Sequence, residues 1–422
     1  MEPATQFAQS DTAAPTGRDR LDSLDFIRGI AVMGILAANI VAFGQSFPAY
    51  IYPAAFEVPH SAAEDWMWVA QLVLVDGKMR GLFTLLFGAG MLLFLDRAWA
   101  AGKGRSLQVR RLLWLAVFGL IHFFFLWRGD ILFGYATLGL VALLFVKLPP
   151  HKQMAIGITG YLVGVVAYAA MMGAPQIVAD TPVGDQPQFS EMREGLQSGM
   201  DSELADAKAE SPLLREGRYG EWVAHNFSAH GSMVLITPIL FSLETIPLML
   251  IGMALYRYGL FNGGIDRGKM RRWGWTGVIV GSLVTLAIGL WAKAGGLTYY
   301  GTMAAMLGWS PLPRLAMVMG LASLLALWSA HANGWLGERV KAAGRAAFTN
   351  YLGTSMMMVL VFHGWALGLY GELGRSALYL VVLAAWIVML AWSKPWLERF
   401  RYGPLEWLWR CLTYGRLFPL RR

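Results

Sequence analysis

The chain has 422 residues, of which 56% are hydrophobic and only 15% charged, and its mean hydropathy is +0.47. A soluble protein of this length needs roughly a quarter of its residues charged to cover its surface, so most of this surface faces lipid. The net charge of +8 sits in short loops between apolar runs, a pattern that orients a membrane protein and does not point to nucleic acid. A single cysteine, Cys411, excludes an intrachain disulfide and a cysteine-built metal site.

Residues 1–20 are polar, small and proline-containing, and read as a disordered tail without the basic-then-apolar order of a signal peptide. Apolar runs follow at 26–44, 79–96, 112–127, 131–147, 154–172, 232–256, 274–292, 314–330, 346–369 and 376–393. They predict an all-α transmembrane bundle of about ten spans. Residues 62–75 predict a short amphipathic or re-entrant helix. Arg128-Gly129-Asp130 predicts a tight turn between two spans.

With the N-terminus inside, the inner segments hold 25 of the 35 basic residues, which places both termini in the cytoplasm. The organisation expected is a first membrane half over 21–172, an outer loop over 173–231, a second half over 232–393 and a cytosolic interfacial tail over 394–422. The outer loop carries ten acidic residues, with a short surface helix expected from Ser202 to Glu210. The tail sets Trp396, Trp407 and Trp409 among arginines, as an amphipathic helix at a membrane surface does.

The first span reads Leu24-Asp25-Phe26-Ile27-Arg28-Gly29 and ends near Asn39. Asp25 and Arg28 are neighbours on a helix. Arg28 and Asn39, eleven residues apart, return to within about 20° of one face at a rise of about 16 Å. A polar line across a span marks a cavity or pathway more often than packing.

This segment resembles the first helix of the transmembrane acyltransferase superfamily, which includes the acyltransferase-3 proteins and heparan-α-glucosaminide N-acetyltransferase. Their Leu-Asp-x-x-Arg-Gly hallmark is matched by Leu24, Asp25, Arg28 and Gly29. Where the acyltransferase-3 branch has a catalytic histidine fourteen residues after the aspartate, this chain has Asn39, as in the heparan-type branch. Four further segments resemble the YeiB-like family of bacterial membrane proteins: Leu82 to Gly90, Gly119 to His122 leading to Gly129-Asp130-Ile131-Leu132, Arg345 to Tyr351, and Gly403 to Arg410. The resemblance implies acyl transfer from cytosolic acyl-CoA, as co-substrate rather than bound cofactor, to a sugar, glycan or lipid headgroup outside.

On that reading the catalytic candidates are His122 with Asp130, Asn39 and His60. A neutral imidazole accepts a proton, and a carboxylate fixes its tautomer. His60 lies in the first outer loop, where the heparan-type relatives carry their catalytic histidine. Asp25, Arg28, Arg345 and Asn350 are candidates for the donor side, facing acyl-CoA phosphates. Glu244, between Pro238 and Pro247, is expected to be paired or neutral at its depth. With Asp76 and Lys78, expected at the outer mouth of the second span as part anchor and part lining, it forms a candidate polar pathway. A transporter or flippase fits that pathway equally well, and a structural or stress-related membrane protein is the third reading. No P-loop, zinc spacing or Gly-x-Ser-x-Gly elbow is present. Homo-oligomerisation is left open.

Overall fold

A computed structural model describes residues 21–59 and 61–422. The predicted tail and His60 lie outside the described residues. The architecture is all-helical, apart from one isolated backbone pairing between Phe400 and Arg421.

In chain order the helices are α1 (Asp22–Gly44), α2 (Ala62–Leu74), α3 (Lys78–Ala100), α4 (Ser106–Phe125), α5 (Leu132–Ala142), α6 (Pro150–Asp180), α7 (Ser190–Arg215), α8 (Tyr219–His230), α9 (Met233–Leu240) and α10 (Ser242–Arg257). They continue as α11 (Arg267–Ala294), α12 (Tyr299–Met303), α13 (Pro311–Ser329), α14 (Trp335–Arg345), α15 (Ala347–Phe362), α16 (Arg375–Arg399) and α17 (Pro404–Tyr414), with a π-helical turn over Ala304–Trp309.

Among the described residues, seven helices are long and apolar enough to cross a membrane, and the α9–α10 pair, bent by 58°, is an eighth if taken as one span. The apolar helices of α5 and α15 are shorter. Every predicted apolar run coincides with one of these elements. Val166, Leu283, Leu380 and Ile387 point outward from α6, α11 and α16, as side chains in contact with lipid do.

Close packing rests on glycines. A Cβ at Gly344 of α14 would lie 1.8 Å from the Asp25 carbonyl oxygen, and one at Gly29 of α1 would lie 2.2 Å from that of Val340. The α1 and α14 backbones therefore touch, and the expected inner loop before residue 345 is a packed helix. Gly88 and Gly252 bring α3 and α10 together in the same way.

Residues 62–75 form the short helix expected, α2, but it is covered by the bundle. Trp68 and Leu72 are buried, and α2 runs on into α3 as one 39-residue apolar helix, Ala62–Ala100, broken at Val75–Gly77. The outer segment is not a loop with a short helix, because α6 continues to Asp180 and α7 and α8 follow. These helices are fastened to the bundle: Asn226 Nδ2 donates to Phe123 O (2.8 Å), Tyr219 Oη to Phe125 O (2.6 Å), and Gly364 N to Leu214 O (2.8 Å). The tail is packed against the bundle. Its first residues extend α16, and Trp409 of α17 donates to Arg111 O (2.9 Å) on α4.

Candidate active site

A cavity of about 250 Å³, part of it open to the outside, lies between α1, α3, α4, α5, α14, α15 and α17. Its inner wall is apolar: Leu86, Phe87, Leu112, Leu115 and Leu132. Its other end carries five arginines, Arg28, Arg111, Arg345, Arg401 and Arg410, against the acids Asp25 and Glu406. Three elements of the matched first-span motif, Leu24, Asp25 and Arg28, thus face the cavity, while Gly29 faces α14.

The arginines are held by aromatic faces. Arg111 lies over Trp409 (4.3 Å) and Phe94 (4.7 Å), and Arg410 over Phe418 (4.6 Å) and Tyr402 (5.1 Å). Burial pulls Arg410 below its ordinary value. Arg28 Nη1 stands 3.2 Å from Asp25 Oδ1, with a quarter of the Arg28 side chain exposed. Glu406 is committed elsewhere. It accepts from Phe348 N (2.7 Å), Thr349 N (3.1 Å) and Thr349 Oγ1 (2.5 Å), capping α15. Burial pushes its carboxyl up from the usual range. The lining therefore has an excess of positive charge at one end and none at the other, which suits a ligand with an anionic head and an apolar arm.

His122 sits just beyond the apolar end. Leu115 and Phe348 line the cavity. His122 and Ser355 lie seven residues further along the same two helices, about 10 Å deeper and on nearly the same faces. His122 Nδ1 is 2.8 Å from Asp130 Oδ1, and His122 Nε2 is 2.8 Å from Ser355 Oγ. The predicted turn does fold Asp130 back onto the histidine. Its second oxygen accepts from Phe133 N (2.7 Å) at the start of α5. Gly119 makes this approach feasible, since a Cβ there would lie 2.4 Å from Phe133 N and 2.9 Å from Asp130 Oδ2.

The protonation pattern follows from the partners. An ionised carboxylate only accepts; in the tautomer with the hydrogen on Nδ1, Nε2 keeps its lone pair and the Ser355 hydroxyl is placed to donate to it. The three side chains are almost fully buried: His122 is 0% exposed, Ser355 2% and the Asp130 side chain 1%. Tyr351 packs its ring 5.1 Å from the imidazole, and its hydroxyl accepts from Ile131 N (3.3 Å). Ser355 was missed in the sequence because it is a lone hydroxyl on an apolar helix, 233 residues from His122.

The remaining candidates are placed as follows. Asn39 is half-buried on α1 and is not brought to His122. It lies one turn before Ala42, whose carbonyl accepts Trp127 Nε1 (3.3 Å) beside the histidine. Arg345 lines the cavity, but Asn350 does not. Asn350 donates to Ala343 O (3.0 Å) and Ser393 Oγ (3.1 Å) and accepts from Trp392 Nε1 (2.9 Å). These bonds tie α14, α15 and α16 together and leave nothing for a donor phosphate.

Glu244 is paired, one of the two expected states. It meets Arg80 Nη2 at 2.8 Å and Arg314 Nη1 at 3.2 Å. Asp76 and Lys78 are not at an exposed mouth. They are 2% and 0% exposed, because the α2–α3 break is covered by α13 and α16. Asp76 Oδ1 accepts from Gln71 Nε2 (3.1 Å), Lys78 donates to Leu72 O, and Gln71 Oε1 accepts from Arg375 Nη1 (2.8 Å). Gly77, with φ 71°, leaves room for Arg314, whose Nε would be 2.2 Å from a Cβ there.

On the opposite end of the bundle from the arginines, Asp206, His225 and His230 bring their ligand atoms within 4.8 Å of one another, a donor set capable of holding a metal. Arg128 already occupies this cluster, contacting His230, Asp206 Oδ2 (3.7 Å) and Glu210 Oε2 (3.1 Å). Burial, then the neighbouring guanidinium, pulls His230 down to about 4.

Residues 255–416 match the family model described as "Protein of unknown function (DUF418)". The chain is 30% identical over 409 residues to "Uncharacterized protein YeiB" of Escherichia coli (strain K12), covering 95% of this chain and 98% of that protein. It is 28% identical over 416 residues to "Uncharacterized protein YxaH" of Bacillus subtilis (strain 168), covering 96% of each. No solved structure matches. With near-complete coverage of the Escherichia coli relative, and with the helical membrane-type bundle above, the chain belongs to the YeiB-like family of membrane proteins.

Proposed function

We propose that the chain is an integral membrane acyltransferase that takes an acyl group from acyl-CoA at the arginine-lined cavity and passes it to a hydroxyl or amine of a sugar, glycan or lipid headgroup at the opposite end. One observation carries this reading: His122 bridges Asp130 and Ser355 just beyond the apolar end of a cavity whose other end is ringed by arginines. Acyl-CoA has the matching order, with phosphates at one end and a thioester at the other. Arg28, Arg111 and Arg410 meet the phosphates, the apolar wall receives the thioester arm, and His122 takes the proton of the attacking group. Asp130 holds the imidazole in its productive tautomer, and Asn39, which is not brought to His122, has no part in the step.

The charge distribution of the loops puts the arginine end, and both termini, in the cytoplasm of a bacterial inner membrane. A cysteine introduced at Ser198 on α7 then reacts with an impermeant maleimide from outside, and one at Ser106 only from inside. Both positions are exposed, and the native Cys411 is buried. A reversed pattern overturns the sidedness.

The buried Arg80–Glu244–Arg314 cluster favours transport as a second reading. Purified protein incubated with labelled acetyl-CoA separates the two. Acyl transfer predicts donor binding and release of CoA that increases with an acceptor. A transporter shows neither, and that result sinks the enzyme reading.

A further inference from the structure

A general base alone does not need Ser355, yet the serine occupies the base. His122 Nε2 is already within hydrogen-bond distance of Ser355 Oγ, at 2.8 Å. The alternative acceptor for that hydroxyl, Tyr351 O, is further away at 3.4 Å. An incoming acceptor hydroxyl would have to displace the serine before giving up its proton. Donor and acceptor also approach from opposite ends of the bundle, so a direct transfer requires both reactive groups in one buried space at once.

We propose that Ser355 is the nucleophile and carries the acyl group as an ester between donor and acceptor. For its donor this rests on the acyl-transfer reading. The activation of the serine does not.

In the first half, Ser355 Oγ attacks the thioester carbonyl carbon while its proton passes to His122 Nε2. The carbon–sulfur bond breaks, and the departing thiolate takes the proton from Nε2, leaving free CoA and a seryl ester. In the second half, the acceptor hydroxyl or amine gives its proton to Nε2 and attacks the ester carbonyl. The carbon–Oγ bond breaks, and Oγ recovers the proton. Asp130 stays ionised throughout and stabilises the imidazolium formed in each half. The burial of all three groups keeps water from the ester, so the acyl group waits for its acceptor.

The test uses wild-type protein in nanodiscs and a short-chain alkyl fluorophosphonate. This probe phosphonylates an activated serine with loss of fluoride and resembles no acyl donor. Peptide mass spectrometry is expected to find the adduct on Ser355. His122→Ala, and Asp130→Asn as a variant that keeps the shape of the network, are expected to slow its formation by roughly 100-fold or more. Absence of an adduct on Ser355 in protein that transfers label from acetyl-CoA overturns the nucleophile and spares the acyl-transfer reading. An adduct that forms equally fast in both variants also overturns it. A histidine-dependent adduct in protein that neither binds acetyl-CoA nor releases CoA supports the nucleophile and overturns the donor.

Discussion

His122→Ala lowers turnover by about 10²–10⁴-fold, the range expected for loss of a general base, while donor affinity stays near that of the wild type. The separation follows from the geometry. The arginines that would meet a donor's phosphates line one end of the cavity, and the imidazole lies beyond its apolar end. The loss should be non-additive: a variant lacking both His122 and Ser355 is no worse than either single change, because the groups act as one unit. Single-turnover assays with labelled acetyl-CoA, beside equilibrium binding of CoA, read the two quantities independently. Weakened CoA binding with an unchanged chemical step would mean that the histidine supports the donor cavity and not the reaction. His60 remains the rival base from the sequence. If His60→Ala abolishes transfer while His122→Ala leaves it intact, the assignment moves to the loop histidine.

Glu244→Ala costs about 3–5 kcal/mol of stability, the usual penalty for breaking a buried ion pair from one side. The change strands Arg314, which is 2% exposed and has Glu244 as its carboxylate partner at 3.2 Å. Arg80 contributes less, because 24% of its side chain is exposed and water can compensate it. Adding Arg314→Met to Glu244→Ala removes the stranded charge and should recover a large part of the loss. Thermal unfolding in one detergent, comparing the two variants, decides it. Equal melting temperatures for Glu244→Ala and the wild type would show that the cluster is wet rather than buried. Transfer activity is expected to survive in the double variant, since none of the three cluster residues lines the cavity.

The parts of this molecule legible in the sequence share one property: the signal is local. Each apolar run coincides with a helical element because spanning lipid requires a continuous apolar stretch, whatever it packs against. The Asp25–Arg28 pair was readable because residues three apart on a helix are always neighbours. His122 and Asp130 were readable as partners because only a short turn separates them. Where helix–helix contact made the decision, sequence failed. Residues 62–75 looked like an amphipathic or re-entrant helix because nothing local shows that α11 and α16 cover them. Asp76 and Lys78 looked like charges at a mouth because their partners, Gln71, Leu72 and Arg375, are assembled only when α2, α3 and α16 meet. Asn350 looked like a donor ligand until Ala343, Ser393 and Trp392 claimed its amide.

By itself, then, the sequence determined a helical membrane protein, the course of its apolar segments and the histidine–aspartate pair, because composition and short-range spacing carry that information. Only the tertiary structure decided that Ser355 completes the pair and that arginines from α1, α4, α14 and the C-terminal segment share one cavity. It also decided that Glu244 is held between two arginines. Each of these depends on residues tens to hundreds of positions apart, brought together where glycines such as Gly29, Gly119 and Gly344 let backbones approach closer than any side chain would allow.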